Sequence, residues 1–189
     1  MSAVHKRAAE AQIQVSELMM PDQANIFGKV FGGEVVALID KAAYVAAARH
    51  AQMMCVTVSF DRVDFHTPVN VGELVHIKAH VDFVGHSSLG VGVEVYSENV
   101  QTGEMRHTNS SYVTMVAIKD GKPAEVPRLI CETDDEKRRF LVGRYRHEWR
   151  SNHHERLGAL RKMLESAGTA QLDEMIASDK LPAIHKTTT

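Results

Sequence analysis

The sequence predicts an α+β fold, with one antiparallel sheet packed on a single long helix. Three observations carry this. The stretch from Phe31 to Ala51, "FGGEVVALIDKAAYVAAARHA", is apolar around most of its circumference at helical spacing. The segments between Met53 and Lys119 change to a period of two and are joined by short turns. From about Cys131 the chain becomes charged with helical spacing, which predicts a C-terminal helical extension.

In chain order, residues 1–12 are polar and alanine-rich and read as a frayed or helical lead-in. "IQVSELMM" (Ile13–Met20) begins with alternating Ile13 and Val15 and reads as a short strand. "PDQANIFGKVFGG" carries Pro, Asp, Asn and glycines, the residues of tight turns, and is a loop. The long helix follows. Because it is apolar on nearly all sides, one sheet cannot cover it, which points to a second sheet from a partner subunit. "MMCVTVSFDRVDF" is rich in β-branched and aromatic residues. "LVHIKAHVDFVG" places Val75, Ile77, Ala79, Val81 and Phe83 on one face and His76, Lys78, His80 and Asp82 on the other. "HSSLGVGVEVYSEN" and "MRHTNSSYVTMVAIK" are two further strands, the last stopped by "DGK". The organisation is then a lead-in (1–12), a sheet-and-helix domain (13–130), a charged extension of two or three amphipathic helices (131–180) and a disordered tail (181–189).

Composition narrows the function classes. The 189 residues are 44% hydrophobic and 24% charged, ordinary for a globular chain with a real core. A formal net charge of −2 gives no basic field for nucleic acid. The N-terminal residues lack the apolar core of a secretion signal, and no apolar run approaches the ~18 residues of a membrane span. Two cysteines, Cys55 and Cys131, without metal or CxxC spacing fit a reducing cytoplasm. The 11 histidines are scattered, dense only at "NHH", so no metal site is expected.

The residue that breaks the pattern is Asp40, a carboxylate inside an apolar helix, costly to bury unless paired or used. Its neighbours one turn away are Val36, Ala37, Ala43 and Tyr44, so a partner must come from elsewhere in the fold or from a ligand. Such a carboxylate suits a general base or a nucleophile. Gly32 and Gly33 stand where the helix begins, and their unobstructed amides suit a carbonyl oxygen that gains negative charge. Asp40 follows Gly33 by about 10 Å along the axis. Asn25, in the preceding loop, carries an amide able to donate to an oxyanion or orient a water.

"MMPDQANIFGKVFGGEVVALIDKAAYVAAARHA" and "VTVSFDRVDFHTPVNVGELVHIKAHVDFVGHSSLGVGVEVYSENVQTGEMRHTNSSYVTMVAI" resemble the hotdog-fold acyl-CoA thioesterases of the cytosolic, brain-type and bacterial single-domain group. The resemblance covers about residues 13–119. It implies a hotdog fold, a curved antiparallel sheet of five or six strands wrapped around one long central helix. It also implies hydrolysis of acyl-CoA to a free fatty acid and CoA, with CoA as part of the substrate and no separate cofactor. The chains are expected to pair as hotdog dimers and to assemble as trimers of dimers. The family's catalytic residues fall on Asn25 and Asp40, meeting across the dimer interface, and its oxyanion amides on the backbone of Gly32 and Gly33.

For CoA itself, "HSSLG" offers His86, Ser87 and Ser88 at a strand entrance to meet the pantetheine arm. "KRR" (Lys137, Arg138, Arg139) and Arg62 are candidate phosphate ligands. His50 and His66 read as structural. Two other readings stand beside the thioesterase: a hotdog dehydratase or hydratase acting on acyl thioesters, which wants a His beside an acid, and a non-catalytic acyl-CoA or nucleotide-binding module acting through its helical extension.

Overall fold

The computed structural model of the chain describes residues 5–178. The tail expected to be disordered, 181–189, lies outside the described residues. The chain forms two compact units, Met1–Arg144 and Tyr145–Thr189.

The first unit contains β1 (His5–Arg7), a 3-10 turn (Ala8–Ala11), β2 (Ile13–Leu18), a second 3-10 turn (Pro21–Gln23), α1 (Gly32–Ala51), β3 (Met54–Phe65), β4 (Leu74–Val84), β5 (Ser88–Glu98), β6 (Met105–Lys119), β7 (Lys122–Pro123), β8 (Arg128–Ile130) and the start of α2 (Asp134–Ser166). The lead-in, expected as frayed or helical, is a three-residue strand plus a 3-10 turn; β1 pairs in parallel with β8. The main sheet is six-stranded and antiparallel, in the order β2-β4-β5-β6-β3 with β7 beside β6. Because β2 and β3 occupy opposite edges, the segment joining them crosses the inner face of the sheet. That segment is the loop and α1.

The core lies between that face and the helix. Val75, Ile77, Ala79 and Val81 of β4 and Leu89, Val91, Val93 and Val95 of β5 are at most 2% exposed. They meet Leu38, Ile39, Ala42, Ala43, Ala46 and Ala47 of α1, whose small side chains let the helix sit close to the strands. The rest of the helix is bare. Tyr44 and Val45 are exposed, and so are Met54, Val56, Val58 and Phe65 on edge strand β3. One sheet covers one side of α1, as geometry requires, and β3 forms one edge of that sheet.

Phe83 departs from the sequence expectation. The register of β4 against β5 shifts between Val81 and Phe83, a bulge that makes Asp82 the extra residue. Phe83 is thereby turned away from the face of Val75–Val81 and packs on Phe140 of α2, ring centroids 5.6 Å apart. The outer face of the sheet is thus covered by the first turns of α2. Thr133 and Glu136 start that helix with reciprocal caps: the Glu136 carboxylate accepts from Thr133 N–H (3.0 Å), and Thr133 Oγ accepts from Glu136 N–H (3.2 Å). The bonds its carboxylate accepts, from Thr133 N–H foremost and from Glu132 N–H (2.7 Å), hold the Glu136 carboxyl below its ordinary range.

Close approach of α2 depends on glycine. A Cβ on Gly143 would stand 2.6 Å from the Tyr112 hydroxyl oxygen and 2.9 Å from Phe83 Cβ, and one on Gly90 would also collide with Tyr112. Gly143→Val is therefore expected to lower stability by about 1–3 kcal/mol. An unchanged urea midpoint would show that α2 does not hold this position.

A buried ion pair ties β4 to β6. Glu73, 8% exposed at its side chain, accepts from Asn70 N–H (3.0 Å), Asn70 Nδ2 (2.7 Å) and the Arg106 guanidinium. Burial pushes its carboxyl up, but the Asn70 bonds and the Arg106 charge outweigh this and leave it below the usual carboxylate range. With a depressed folded pKa, its stabilisation is complete above the ordinary glutamate range, about pH 4.3, and is lost as pH falls through the folded value. Glu73→Gln is expected to lose about 2 kcal/mol at pH 7 and to flatten the acid limb of a stability–pH series. A variant with the wild-type acid limb would assign that limb to other carboxylates.

The second unit holds the remainder of α2 and α3 (Thr169–Ser178). Trp149 and His153, one turn apart on α2, stack with centroids 4.9 Å apart. Among the described residues, no helix is long and apolar enough to cross a membrane.

Candidate active site

Asp40 sits in the middle of α1, half-buried, two turns from the helix start. Its Oδ1 accepts a hydrogen bond from the Thr57 hydroxyl at 2.5 Å. Thr57 stands on β3 where the register against β6 slips between Thr57 and Ser59, and it also contacts Met115 Sδ at 3.3 Å. One carboxylate oxygen is thus fixed by a neutral donor. Tyr44, the nearby hydroxyl on the same helix, makes no hydrogen bond to Asp40 among the described residues. Thr57 was not singled out in the sequence, because a threonine inside an alternating strand is an ordinary β-former.

Gly32 and Gly33 are the first two residues of α1. Phe31 occupies the N-cap, and no side chain caps the helix. The first N–H groups of a helix have no intrahelical acceptor, so these two amides lie at the positive end of the helix dipole.

Asn25 stands at the base of a tight turn before the helix. Its Oδ1 accepts from Phe27 N–H (2.9 Å) and Lys29 N–H (3.2 Å). That fixes the carboxamide and leaves its NH2 as the end able to donate outward. No hydrogen bond joins Asn25 to Asp40 within the chain, among the described residues.

The remaining candidates are dispersed. Arg62 on β3 has its side chain 77% exposed and pairs with Asp64 at 2.7 Å. His86 and Ser87 lie in the connection between β4 and β5 and Ser88 begins β5; their carbonyls accept from Val126, Ala117 and Gly85 N–H. Lys137 pairs with Asp134 at 3.0 Å, and Arg138 is exposed. Arg139 is held by Asp82 (3.3 Å) and Asp135 on the outer face of the sheet, opposite α1. His50 is buried and bonds Pro127 O at 2.9 Å; burial lowers its pKa despite that bond. His66 is exposed, its ring 6.1 Å from that of His107. The Cys55 thiol is pushed up to about 11 by burial, so it is protonated at neutral pH and poorly nucleophilic. No group of three or more His, Cys, Asp or Glu among the described residues is arranged to hold a metal ion.

The chain as a whole is similar to known proteins. Residues 27–104 match the family model described as the thioesterase superfamily. YkhA of Bacillus subtilis, described as an uncharacterized acyl-CoA thioester hydrolase, is 37% identical over 128 residues, 67% of this chain and 74% of its own. The chain belongs to the thioesterase superfamily. Its fold is the hotdog fold.

Two solved structures of this superfamily member's fold are similar along most of their length. An apo-hexameric acyl-CoA thioesterase is 35% identical, with a TM-score of 0.77 over 80% of this chain and 97% of its own. An acyl-CoA hydrolase from Staphylococcus aureus, solved with coenzyme A, is 30% identical, with a TM-score of 0.80 over 88% of this chain and 100% of its own. That structure is of a variant in which an asparagine is replaced by alanine; companion structures carry alanine in place of an aspartate and of a threonine.

Proposed function

We propose that this thioesterase hydrolyses the thioester bond of acyl-CoA, with Asp40 as the group that activates the attack. The observation that carries the reading is the Asp40 carboxylate, oriented by Thr57 at 2.5 Å and two turns from an uncapped helix start. The Staphylococcus aureus hydrolase supports it. Its three substituted residues, Asn, Asp and Thr, are separated by 15 and 17 positions, and Asn25, Asp40 and Thr57 have the same separations.

The chemistry follows from the groups. A thioester carbonyl is electrophilic and its thiolate leaves readily, so modest activation suffices. In one route Asp40 takes a proton from water and the hydroxide adds to the carbonyl carbon. The negative charge that builds on the oxygen is met by the Gly32 and Gly33 amides and by the Asn25 carboxamide. The tetrahedral species collapses, the C–S bond breaks, and the thiolate of CoA receives the proton. In the other, an Asp40 oxygen adds to the carbonyl carbon, the C–S bond breaks and CoA leaves as its thiolate; water then cleaves the mixed anhydride, which frees the acid and the Asp40 carboxylate and returns a proton to the thiolate. Thr57 orients the carboxylate in both.

The reading extends to assembly and location. The bare side of α1 and the unpaired edge of β3 suit a second copy, giving a dimer with Asn25 of one chain facing Asp40 of the other; trimers of such dimers match the hexameric state of one similar structure. Arg62, Lys137 and Arg138, with His86, Ser87 and Ser88, remain the candidates for CoA, whereas the Arg139 guanidinium is already committed to Asp82 and Asp135. Free thiols at Cys55 and Cys131 suit a cytoplasmic location. Thiol release from acyl-CoAs of graded length tests the activity; absence of release from every one, with binding retained, would leave a binding module instead.

A further inference from the structure

The loop that carries Asn25 also carries two large apolar side chains with nothing from their own chain to cover them. Ile26 is 93% exposed and Phe27 80%, at the tip of a turn. The turn itself is rigid. Asn25 N–H donates to Lys29 O (2.7 Å) and Gly28 N–H to Asn25 O (3.0 Å), with Gly28 at a φ of +71°. Its base is anchored to the connection between β3 and β4: Lys29 Nζ donates to Asn70 Oδ1 (2.6 Å) and Val30 N–H to Val69 O (2.9 Å). An apolar pair held this firmly in water is a surface built for an occupant.

We propose that Phe27, with Ile26 beside it, reaches into a second copy of the chain, forms a wall of that copy's acyl site and sets the chain length it accepts. This rests on the thioesterase reading and on Asn25 serving the neighbour's Asp40. The link is the Asn25 carboxamide. Its Oδ1 binds Phe27 N–H at 2.9 Å, so the amide and the ring belong to one fixed unit. The amide and the ring therefore enter the second copy's site together, and in the proposed arrangement the ring, two residues along the turn, lies beyond the first carbons of the acyl chain, where a butyryl group ends and a longer chain must pass. The second copy is the favoured occupant because the exposed Tyr44 and Val45 of α1, beside the unpaired edge of β3, offer an apolar complement on the same molecule. The hexameric state of a similar structure shows that this fold pairs with itself.

The test is the kcat/KM profile over butyryl-, octanoyl- and palmitoyl-CoA for the full chain, Phe27→Ala and Phe27→Trp, with particle mass measured by light scattering. Phe27→Ala should raise the long-to-short ratio by about tenfold and Phe27→Trp should lower it by a similar factor. Should Phe27→Ala disturb assembly, Phe27→Leu with Phe27→Trp gives the same comparison with an apolar side chain kept. A profile that scales by one common factor, or does not change, overturns the inference. Asp40→Ala is run alongside. If it abolishes hydrolysis while the Phe27 variants keep the wild-type profile, the inference fails alone. If it keeps full activity, the underlying site assignment fails, whatever the Phe27 variants do.

Discussion

Asp40→Ala is expected to lower kcat for acyl-CoA hydrolysis by about 10³-fold, within the range that a positioned acid–base group supplies. The loss should not be total, because in the proposed mechanism the helix-start amides and Asn25 still stabilise charge on the carbonyl oxygen. Nor should the fold suffer. Asp40 is half-buried and accepts one hydrogen bond, from a threonine that is itself exposed in the single chain, so the deletion leaves no fully buried orphan. KM and particle mass are therefore expected to stay near wild type, placing the defect in the chemical step. Asp40→Asn sharpens the comparison. The amide keeps an oxygen for Thr57 and nearly the same volume, yet it can neither take a proton at neutral pH nor attack as a carboxylate. It should be as slow as the alanine variant. Thiol release in the steady state, with circular dichroism as the control for folding, checks both. Wild-type turnover in either variant would remove Asp40 from the site.

How far such a site can be seen in a bare sequence depends on whether its residues break a pattern. Asp40 is legible because a charge interrupts an otherwise apolar helix, and Gly32 and Gly33 because they mark where that helix starts. The strands are legible where alternation is uninterrupted, as along Val75–Val81. Thr57 is not, because its type is what a strand prefers, and only the fold brings its hydroxyl to within 2.5 Å of a carboxylate 17 residues earlier. The bulge at Asp82 is hidden for a related reason: "HVDF" alternates without a break, yet one extra residue re-aims Phe83 toward α2. Arg139 looked like a free phosphate ligand in "KRR" because one of its carboxylate partners, Asp82, is distant in sequence. Local periodicity reports which face a residue prefers. It does not report what a distant element brings to that face.

The proposed arrangement of Asn25 and Asp40 across two chains predicts a result that single-chain catalysis cannot give. Asn25→Ala and Asp40→Ala, each nearly inactive alone, are expected to recover about a quarter of wild-type activity when unfolded together in equal amounts and refolded. The factor follows from symmetry. In a two-fold dimer each site takes its asparagine from one subunit and its aspartate from the other. Random pairing makes about half of the dimers mixed, and each mixed dimer holds one site with both residues intact and one with neither. In the proposed dimer the exposed face of α1 and the free edge of β3 bring the two chains together, so mixing must occur at that interface to count. Simply combining the folded variants should recover little until subunits exchange. If each chain used its own Asn25, every site in the mixture would lack one of the two residues, and activity would stay at the level of the single variants. Refolded mixtures that remain inactive, with wild-type refolding normally in parallel, would return the pair to one chain. In that case the apolar tip at Ile26 and Phe27 would need a different occupant.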